Sequence, residues 1–276
     1  MLPLISIQIP TYNQADFLPR AIESCIDQTY TNLEIIIADD CSSDTTIEIV
    51  KKYLTDKRIK FYSNTTNIGR VANYKKVLYS YTTGQWILNL DGDDYFTNNY
   101  FIKNAVDTIL KHGADKVLFY QGTHIYKTAE TEKVIIPNIK GNEIALLSKD
   151  YIKNFFSINH FSHMSTLYNR HCAMEVEFYD KDIISADIYS LLKMSIKYPN
   201  KTIIISKEIS GVWLQHGKNA SKASSLYLHT KNYSLYQNLF LQQLRSPIFS
   251  TKDAYFWFLK SFYTYWRAWF STKLKK

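Results

Sequence analysis

Cysteine is scarce in this chain and follows no pattern. The 276 residues hold three, Cys25, Cys41 and Cys172. None falls in a C-x-x-C pair, and their odd number argues against a disulfide framework. A reducing, cytoplasmic setting is the expectation. Long apolar runs are missing too: no stretch is both long and uncharged enough to span a bilayer. The N-terminus passes straight into an apolar strand, so no signal peptide is expected. Internal repeats and low-complexity linkers are absent. There is no helix-turn-helix, zinc-finger or RNA-recognition signature, so the formal net charge of +8 does not speak for nucleic acid.

What is present is a regular alternation. Leu4 to Ile9 reads as a strand and runs into Pro10-Thr11-Tyr12-Asn13. A helix is predicted from about Phe17 to Gln28, with Asp16 as its N-cap. Leu33 to Ala38 is the next strand; it ends in Asp39-Asp40-Cys41-Ser42-Ser43-Asp44 and enters a second helix. Ile59 to Tyr62 is a third strand, Asn67-Ile68-Gly69-Arg70 opens a third helix, and Trp86 to Leu90 is a fourth strand. Strands alternating with helices predict a doubly covered, mostly parallel sheet. Ligands in such sheets sit beyond the carboxyl ends of the strands. The polar clusters at Thr11 to Asn13, Asp39-Asp40 and Asp91 to Asp94 should therefore meet in one crevice. A hydrophobic fraction of 46% is ample for the core.

Asp91-Gly92-Asp93-Asp94 carries the chemistry. Carboxylates crowded at the end of a buried strand are costly unless a cation meets them. Mg²⁺ or Mn²⁺ takes such oxygens and then binds phosphate. Alone, the cluster reads equally well as a solvated acidic turn.

The ordered set is more specific. Ser6 to Asn13, Ser24 to Tyr30, Glu34 to Asp44, Asn67-Ile68-Gly69 and Gly84 to Ile87 lead in sequence to the Asp91 to Asp94 motif. Over roughly the first hundred residues the chain resembles the family 2 glycosyltransferases of the GT-A fold. The resemblance implies an α/β GT-A fold, Rossmann-like with a mostly parallel sheet flanked by helices, and a C-terminal helical extension. It implies a nucleotide-sugar site made of Pro10, Thr11, Tyr12, Asn13, Asp39, Asp40, Asn67, Gly69, Asp91 and Asp93, with Tyr12 against the base. Asp91 and Asp93 are its D-x-D pair and would meet a Mn²⁺ or Mg²⁺ ion. His216, in Gly211 to Ser221, matches the segment where the family places a His near the metal, and is the third candidate ligand. Lys218 in the same segment is a candidate partner for the diphosphate.

An inverting transfer needs a base for the acceptor hydroxyl. The candidate is Asp187. The family's acidic residue before that Asp is replaced by Ala186 here, and Asp180 and Asp182 are the fallback candidates. His160 and His163 read as acceptor contacts or packing, not as a metal site.

The tail is aromatic and basic. Ser225 to about Leu244 predicts one helix, and Ser250-Thr251-Lys252-Asp253 is a capping box that starts another. On a helical wheel, Lys260, Thr264, Arg267 and Ser271 share a face, and the aromatic residues cover the opposite one. Such a helix suits an anionic membrane surface, or a dock on its own domain or a second subunit. The domain expectation is 1–222 for the glycosyltransferase domain, with 1–115 as the nucleotide-sugar half and 116–222 as the acceptor half, and 223–276 for the extension. The expected function is transfer from a nucleotide-diphosphate donor, UDP-linked by resemblance, to a glycan or lipid-linked glycan acceptor in bacterial surface-polysaccharide synthesis. It would take place at the cytoplasmic face of the membrane, with peripheral contact through 251–276. The alternative is a non-catalytic nucleotide-sugar or glycan binding module of a membrane-associated complex. A sugar-nucleotide pyrophosphorylase would want a Gly-rich loop after the first strand, which Pro10 to Asn13 is not.

Overall fold

The structure is a computed structural model that describes residues 2–158, 161–217 and 225–273. Its first half is the predicted alternation: β1 (Ile5–Thr11), α1 (Leu18–Ile26), β2 (Leu33–Asp39), α2 (Thr46–Lys51), β3 (Ile59–Ser63), α3 (Arg70–Ser80) and β4 (Trp86–Asn89). These strands lie parallel in the order β3-β2-β1-β4. All seven residues of β1 are buried, as expected of a strand covered on both faces. The register pairs Thr11 with Asp39, so the polar ends of β1 and β2 finish side by side.

Helix starts follow local chemistry. Phe17, not Asp16, is the N-cap of α1, and no side chain caps it; a turn in which the Phe17 amide meets the Gln14 carbonyl at 3.0 Å leads in instead. Asp44 Oδ1 accepts from the Thr46 amide at 3.0 Å and opens α2. Gly69 precedes α3 with φ of 90°, a backbone that favours glycine.

The second half builds outward from β4. Next come β5 (Tyr95–Phe96), α4 (Phe101–His112), β6 (Val117–Lys127), β7 (Glu132–Ile135), β8 (Glu143–Leu147) and α5 (Ser148–Ile158). A 3-10 turn (His163–Ser165), β9 (Thr166–Asn169), α6 (Arg170–Glu175), α7 (Ala186–Lys197) and β10 (Thr202–Leu214) follow. β9 slots antiparallel between β4 and β6, and β10 runs parallel to β6. One ten-stranded sheet thus spans both halves. β10 also pairs antiparallel with β5, opposing Gly211 to Phe96. A Cβ on Gly211 would stand 2.1 Å from the Tyr95 carbonyl oxygen, so only glycine fits there.

The chain closes with α8 (Leu226–Arg245), capped by Ser225 Oγ on the Leu228 amide, and α9 (Thr251–Lys273), where the Asp253 amide donates to Ser250 Oγ at 3.1 Å. Helix α9 docks on its own domain. Trp257 is 3% exposed and packs against Phe156 of α5 and Tyr236 of α8. The aromatic residues nevertheless lie on two faces, not one: Phe256, Phe262, Tyr263 and Phe270 stay exposed, together with Leu259. Among the described residues no helix is long and apolar enough to cross a membrane.

Candidate active site

A cavity of about 720 Å³ opens at the carboxyl ends of β1, β2 and β4. Pro10, Thr11 and Tyr12 line it where β1 ends, with Asp40 and Asn67 beside them and Asp91, Asp93 and Asp94 beyond β4. Asp187, Ile188 and Ser185, at the start of α7, form the facing wall. The predicted convergence is therefore present, and a candidate base joins it from nearly a hundred residues downstream.

Asp39 and Asn13 stand behind this wall, and Asp40 is largely engaged by the loop beside it. Asp39 is fully buried and holds a turn: it accepts from the Ser42 amide, the Ser42 hydroxyl and the Ser63 hydroxyl. Asn13, at φ of 52°, accepts from the Ser43 amide and so ties the loop after β1 to the loop after β2. Asp40 accepts from Asn64 Nδ2 at 2.9 Å, the Ile68 amide at 2.9 Å and the Gly69 amide at 2.8 Å. A carboxylate has about four acceptor sites, so at most one of Asp40's remains for a ligand. Its main local work is to shape the 64–69 loop over the cavity.

The carboxylates after β4 each have a distinct partner. Tyr74 donates its hydroxyl to Asp91 Oδ1, and His163 Nε2 lies 3.2 Å from Asp91 Oδ2. Asp93 Oδ2 lies 2.7 Å from His216 Nε2, and the His216 ring stacks on Phe17 at 4.5 Å. Asp94 Oδ1 accepts from the Leu214 amide at 2.9 Å. The β5–β10 pairing makes these last contacts: it carries residues 214 to 216 back onto the turn at 91–94. His216 thus lies against Asp93 of the D-x-D pair, although it is not among the cavity-lining residues. Lys218, Asn219 and Ser221 lie outside the described residues, as does His160.

His163 departs from expectation. Its other nitrogen, Nδ1, lies 3.3 Å from Asp187 Oδ2, so one ring stands between the D-x-D carboxylate and the candidate base. Burial works against a charged ring, but Asp91 and Asp187 together raise His163 to about 10. Burial would raise Asp91, yet His163, with Tyr74 and Arg70, holds it down at about 2. Asp93 is pushed up by burial and then by Asp91; Asp94 is pushed well up by burial and then by both neighbours.

That crowding is the test of a metal's fit. A divalent cation among these carboxylates offsets their mutual repulsion, and the donors are the oxygens and imidazoles that Mn²⁺ takes. Asp91, Asp94 and His163 offer ligand atoms within 4.8 Å of one another, so His163 belongs to a group that could hold an ion, contrary to its reading from sequence.

Of the fallback bases, Asp180 is paired with Lys193 at 2.8 Å; Asp182, 85% exposed and 3.5 Å from Lys231, lines the same cavity as Asp187. Asp187 Oδ1 accepts from the Ile188 amide at 2.8 Å and so serves the first turn of α7, while its other oxygen lies toward His163. Ser185, which precedes α7, makes no side-chain cap; its amide donates to Asn232 Oδ1 at 2.8 Å. Asn232 belongs to α8 and also reaches the Tyr265 hydroxyl of α9 at 3.3 Å. Leu228 and Lys231 of α8 line the cavity, so the predicted tail is part of its wall.

Sequence reasoning passed over Tyr74, Arg70 and Asn232. Arg70 donates to the Ile184 carbonyl at 2.8 Å, tying α3 to the loop before α7. Arg70 and Tyr74 stand four apart on α3, a spacing that puts both on one face, and that signal was available. Asn232 had none.

The fold has known counterparts. The chain superposes on the crystal structure of Staphylococcus aureus TarS residues 1–349 with a TM-score of 0.74, at 18% identity, covering 96% of this chain and 73% of that one. A mannosyltransferase from Pyrobaculum calidifontis, solved with GDP-Man and Mn²⁺, matches at a TM-score of 0.59 and 15% identity, over 89% of this chain and 64% of that one. In sequence, an uncharacterized glycosyltransferase of Haemophilus influenzae is 31% identical over 156 residues, 53% of this chain. The chain spans 61% of that relative's length. The poly(ribitol-phosphate) beta-N-acetylglucosaminyltransferase TarS of S. aureus is 32% identical over 115 residues, 41% of this chain and 20% of its own. Residues 6–175, which carry the ends of β1, β2 and β4 at the cavity together with the Asp91 to Asp94 motif, match the family model of Glycosyl transferase family 2, and the chain belongs to that family.

Proposed function

We propose that this chain is a metal-dependent, inverting glycosyltransferase that moves a sugar from a UDP-linked donor to a glycan or lipid-linked glycan acceptor in bacterial surface-polysaccharide synthesis. One observation carries the reading: Asp91, Asp93 and Asp187 line a single cavity together with the strand ends of β1 and β2. A TarS structure was solved in complex with UDP-GlcNAc, which supports a UDP-sugar here. Residues 1–115 would take the nucleotide sugar, 116–222 the acceptor, and 223–276 would complete the wall.

Tyr12, 48% exposed at the cavity edge, would stack on the base, and the loop held by Asp40 would close over the nucleoside. Asp91 and Asp93, with His216 against Asp93, would hold a Mn²⁺ or Mg²⁺ ion. When bound, such an ion supplies charge to stabilise the leaving diphosphate. Asp187 would take the acceptor proton at the carboxylate that faces the cavity, and the acceptor oxygen would attack the anomeric carbon from the side opposite the diphosphate.

The exposed face of α9 favours a second element, peripheral contact with an anionic bilayer. Phe256, Leu259, Phe262 and Tyr263 would rest at headgroup level, with Lys252 and Arg267 toward anionic lipid.

A thermal-shift panel of UDP-, GDP-, CMP- and dTDP-linked sugars, with and without Mn²⁺, tests the donor site. A ligand that binds only the native state raises the melting temperature by mass action. A metal-dependent rise with UDP-sugars is expected. A rise with one of the others reassigns the donor. A rise with nucleotide sugar but no release of nucleotide under any acceptor moves the reading to a binding module.

A further inference from the structure

We propose that His163 is a positioning residue that sets the base carboxylate against the donor carboxylate. The inference rests on the reading of Asp187 as the base. The ring's Nε2 lies 3.2 Å from Asp91 Oδ2, and its Nδ1 lies 3.3 Å from Asp187 Oδ2. Asp91 is 72 residues away from His163 in sequence, so the contact is built by the fold and not by a local turn.

The backbone around the ring is arranged to hold it there. His163 opens the 3-10 turn that feeds β9, and β9 is clamped between β4 and β6. In that turn the Ser165 hydroxyl and the Thr166 hydroxyl both donate to the Ser162 carbonyl, at 3.2 and 2.7 Å. The side chain is 12% exposed, and Tyr74, which also holds Asp91, lies against the ring at 5.7 Å. A ring fixed at this depth cannot follow a carboxylate that swings away.

Asp187 gains a defined orientation from this. Its Oδ1 accepts from the Ile188 amide at 2.8 Å, and its Oδ2 faces the His163 ring. Oδ1 is thus held by the Ile188 amide, while Oδ2 is set beside His163 Nδ1, a buried nitrogen that is close enough for an ion pair but not aligned in a hydrogen bond; the remaining lone pairs of Asp187 are left for an acceptor hydroxyl in the cavity. The position before the base, where the family usually has an acidic residue, is Ala186 here, 0% exposed, so it supplies no carboxylate. Because the same ring touches Asp91, one side chain bridges the donor-side and the acceptor-side carboxylates. A loss of even about 1 Å in such placement can cost on the order of 10²-fold in rate.

The alternative role is metal ligation, since Asp91, Asp94 and His163 form a group that could hold an ion. The two roles predict different effects on metal affinity, little change for positioning and a loss for ligation. The test compares wild type, His163→Ala, Asp187→Asn and the double variant. Two quantities are read: binding of Mn²⁺ and UDP by calorimetry, and UDP release from UDP-N-acetylglucosamine with water as acceptor. Positioning predicts that His163→Ala binds Mn²⁺ and UDP within about three-fold of wild type but releases UDP about 10²-fold more slowly. It predicts that the double variant is no slower than Asp187→Asn, because residues acting as a unit are non-additive. Melting temperatures of all four, without ligand, show that the fold is kept.

A ten-fold loss of Mn²⁺ affinity in His163→Ala makes the residue a ligand and overturns the proposal. So does UDP release within two-fold of wild type, or a double variant that loses the product of the two single losses. If Asp187→Asn itself releases UDP at the full rate, the base assignment fails; that outcome is told apart because it does not depend on His163.

Discussion

His216 Nε2 lies 2.7 Å from Asp93 Oδ2, although 123 residues separate the two in sequence. The contact exists because β10 pairs with the two-residue strand β5, where Gly211 passes directly over the Tyr95 carbonyl. Asp93→Ala should therefore abolish turnover and remove the Mn²⁺-dependent part of nucleotide stabilisation. His216→Ala should weaken the same metal dependence while leaving metal-free stability nearly unchanged. Thermal shifts with UDP, with and without Mn²⁺, check both. A full metal-dependent shift in Asp93→Ala would take the metal away from this motif.

Asp187→Asn keeps the shape of the side chain and removes its basicity. Donor binding should stay within about two-fold, while transfer falls by about 10²–10⁴-fold, the range of general-base losses. Nucleotide titration beside a product assay separates the two. Full activity in Asp187→Asn would send the base role elsewhere.

The pair His163 and Asp91 makes stability depend on pH in a defined direction. His163 is raised from 6.5 to about 10 in the fold. Its contribution is thus complete below the unfolded value and is lost as pH rises toward 10. Asp91 is lowered from 3.8 to about 2, so its contribution is present above the unfolded value and lost as pH falls through 2. In metal-free protein the melting temperatures of wild type and His163→Asn should differ most below about pH 6.5 and converge toward pH 10. Parallel curves from pH 6.5 to 10 would refute the pairing.

The two faces of α9 should respond to substitution in opposite ways. Trp257→Ala removes a buried ring and should destabilise by roughly 3–5 kcal/mol, as such truncations do. Changing Phe256, Leu259, Phe262 and Tyr263 together to Ser should leave the melting temperature within a few degrees and release the protein from anionic vesicles. Vesicle sedimentation is the check, and undiminished binding would end the membrane reading. Deleting the helix outright tests less, because Trp257 leaves the core with it.

Legibility followed sequence distance. The strands and helices up to Asn89 could be read because each parallel strand is a short apolar run ending in polar residues, and the crossovers are local. The sheet beyond β4 could not. β9 pairs with β4 and β6 across long separations, and nothing in Thr166 to Asn169 marks it as the strand that joins the two halves. In the site, Asp91, Asp93 and Asp187 announced themselves as carboxylates beside strand or helix ends. His163 did not, since a lone ring has meaning only through what it touches, and both its partners are far along the chain. Asp39 and Asp40 show the converse: adjacent carboxylates at a strand end look alike, but one is closed inside a turn and the other borders the cavity. The tail misled for a different reason. Aromatic residues surround α9, so a wheel cannot say which of them face inward.

The Tyr265 hydroxyl donates to the His229 carbonyl at 3.0 Å and receives Asn232 Nδ2, while Asn232 accepts the amide of Ser185. The closing helical hairpin is in this way fastened to the residue that starts the base-bearing helix. Recombination of this scaffold is constrained accordingly. A chimera that borrows α8 and α9 from a relative, to import a different acceptor wall, sets a foreign side chain against the turn that orients Asp187. The exchangeable unit must take in the loop before α7 along with α8 and α9, and Arg70 of α3, which donates to the Ile184 carbonyl, has to be matched to it.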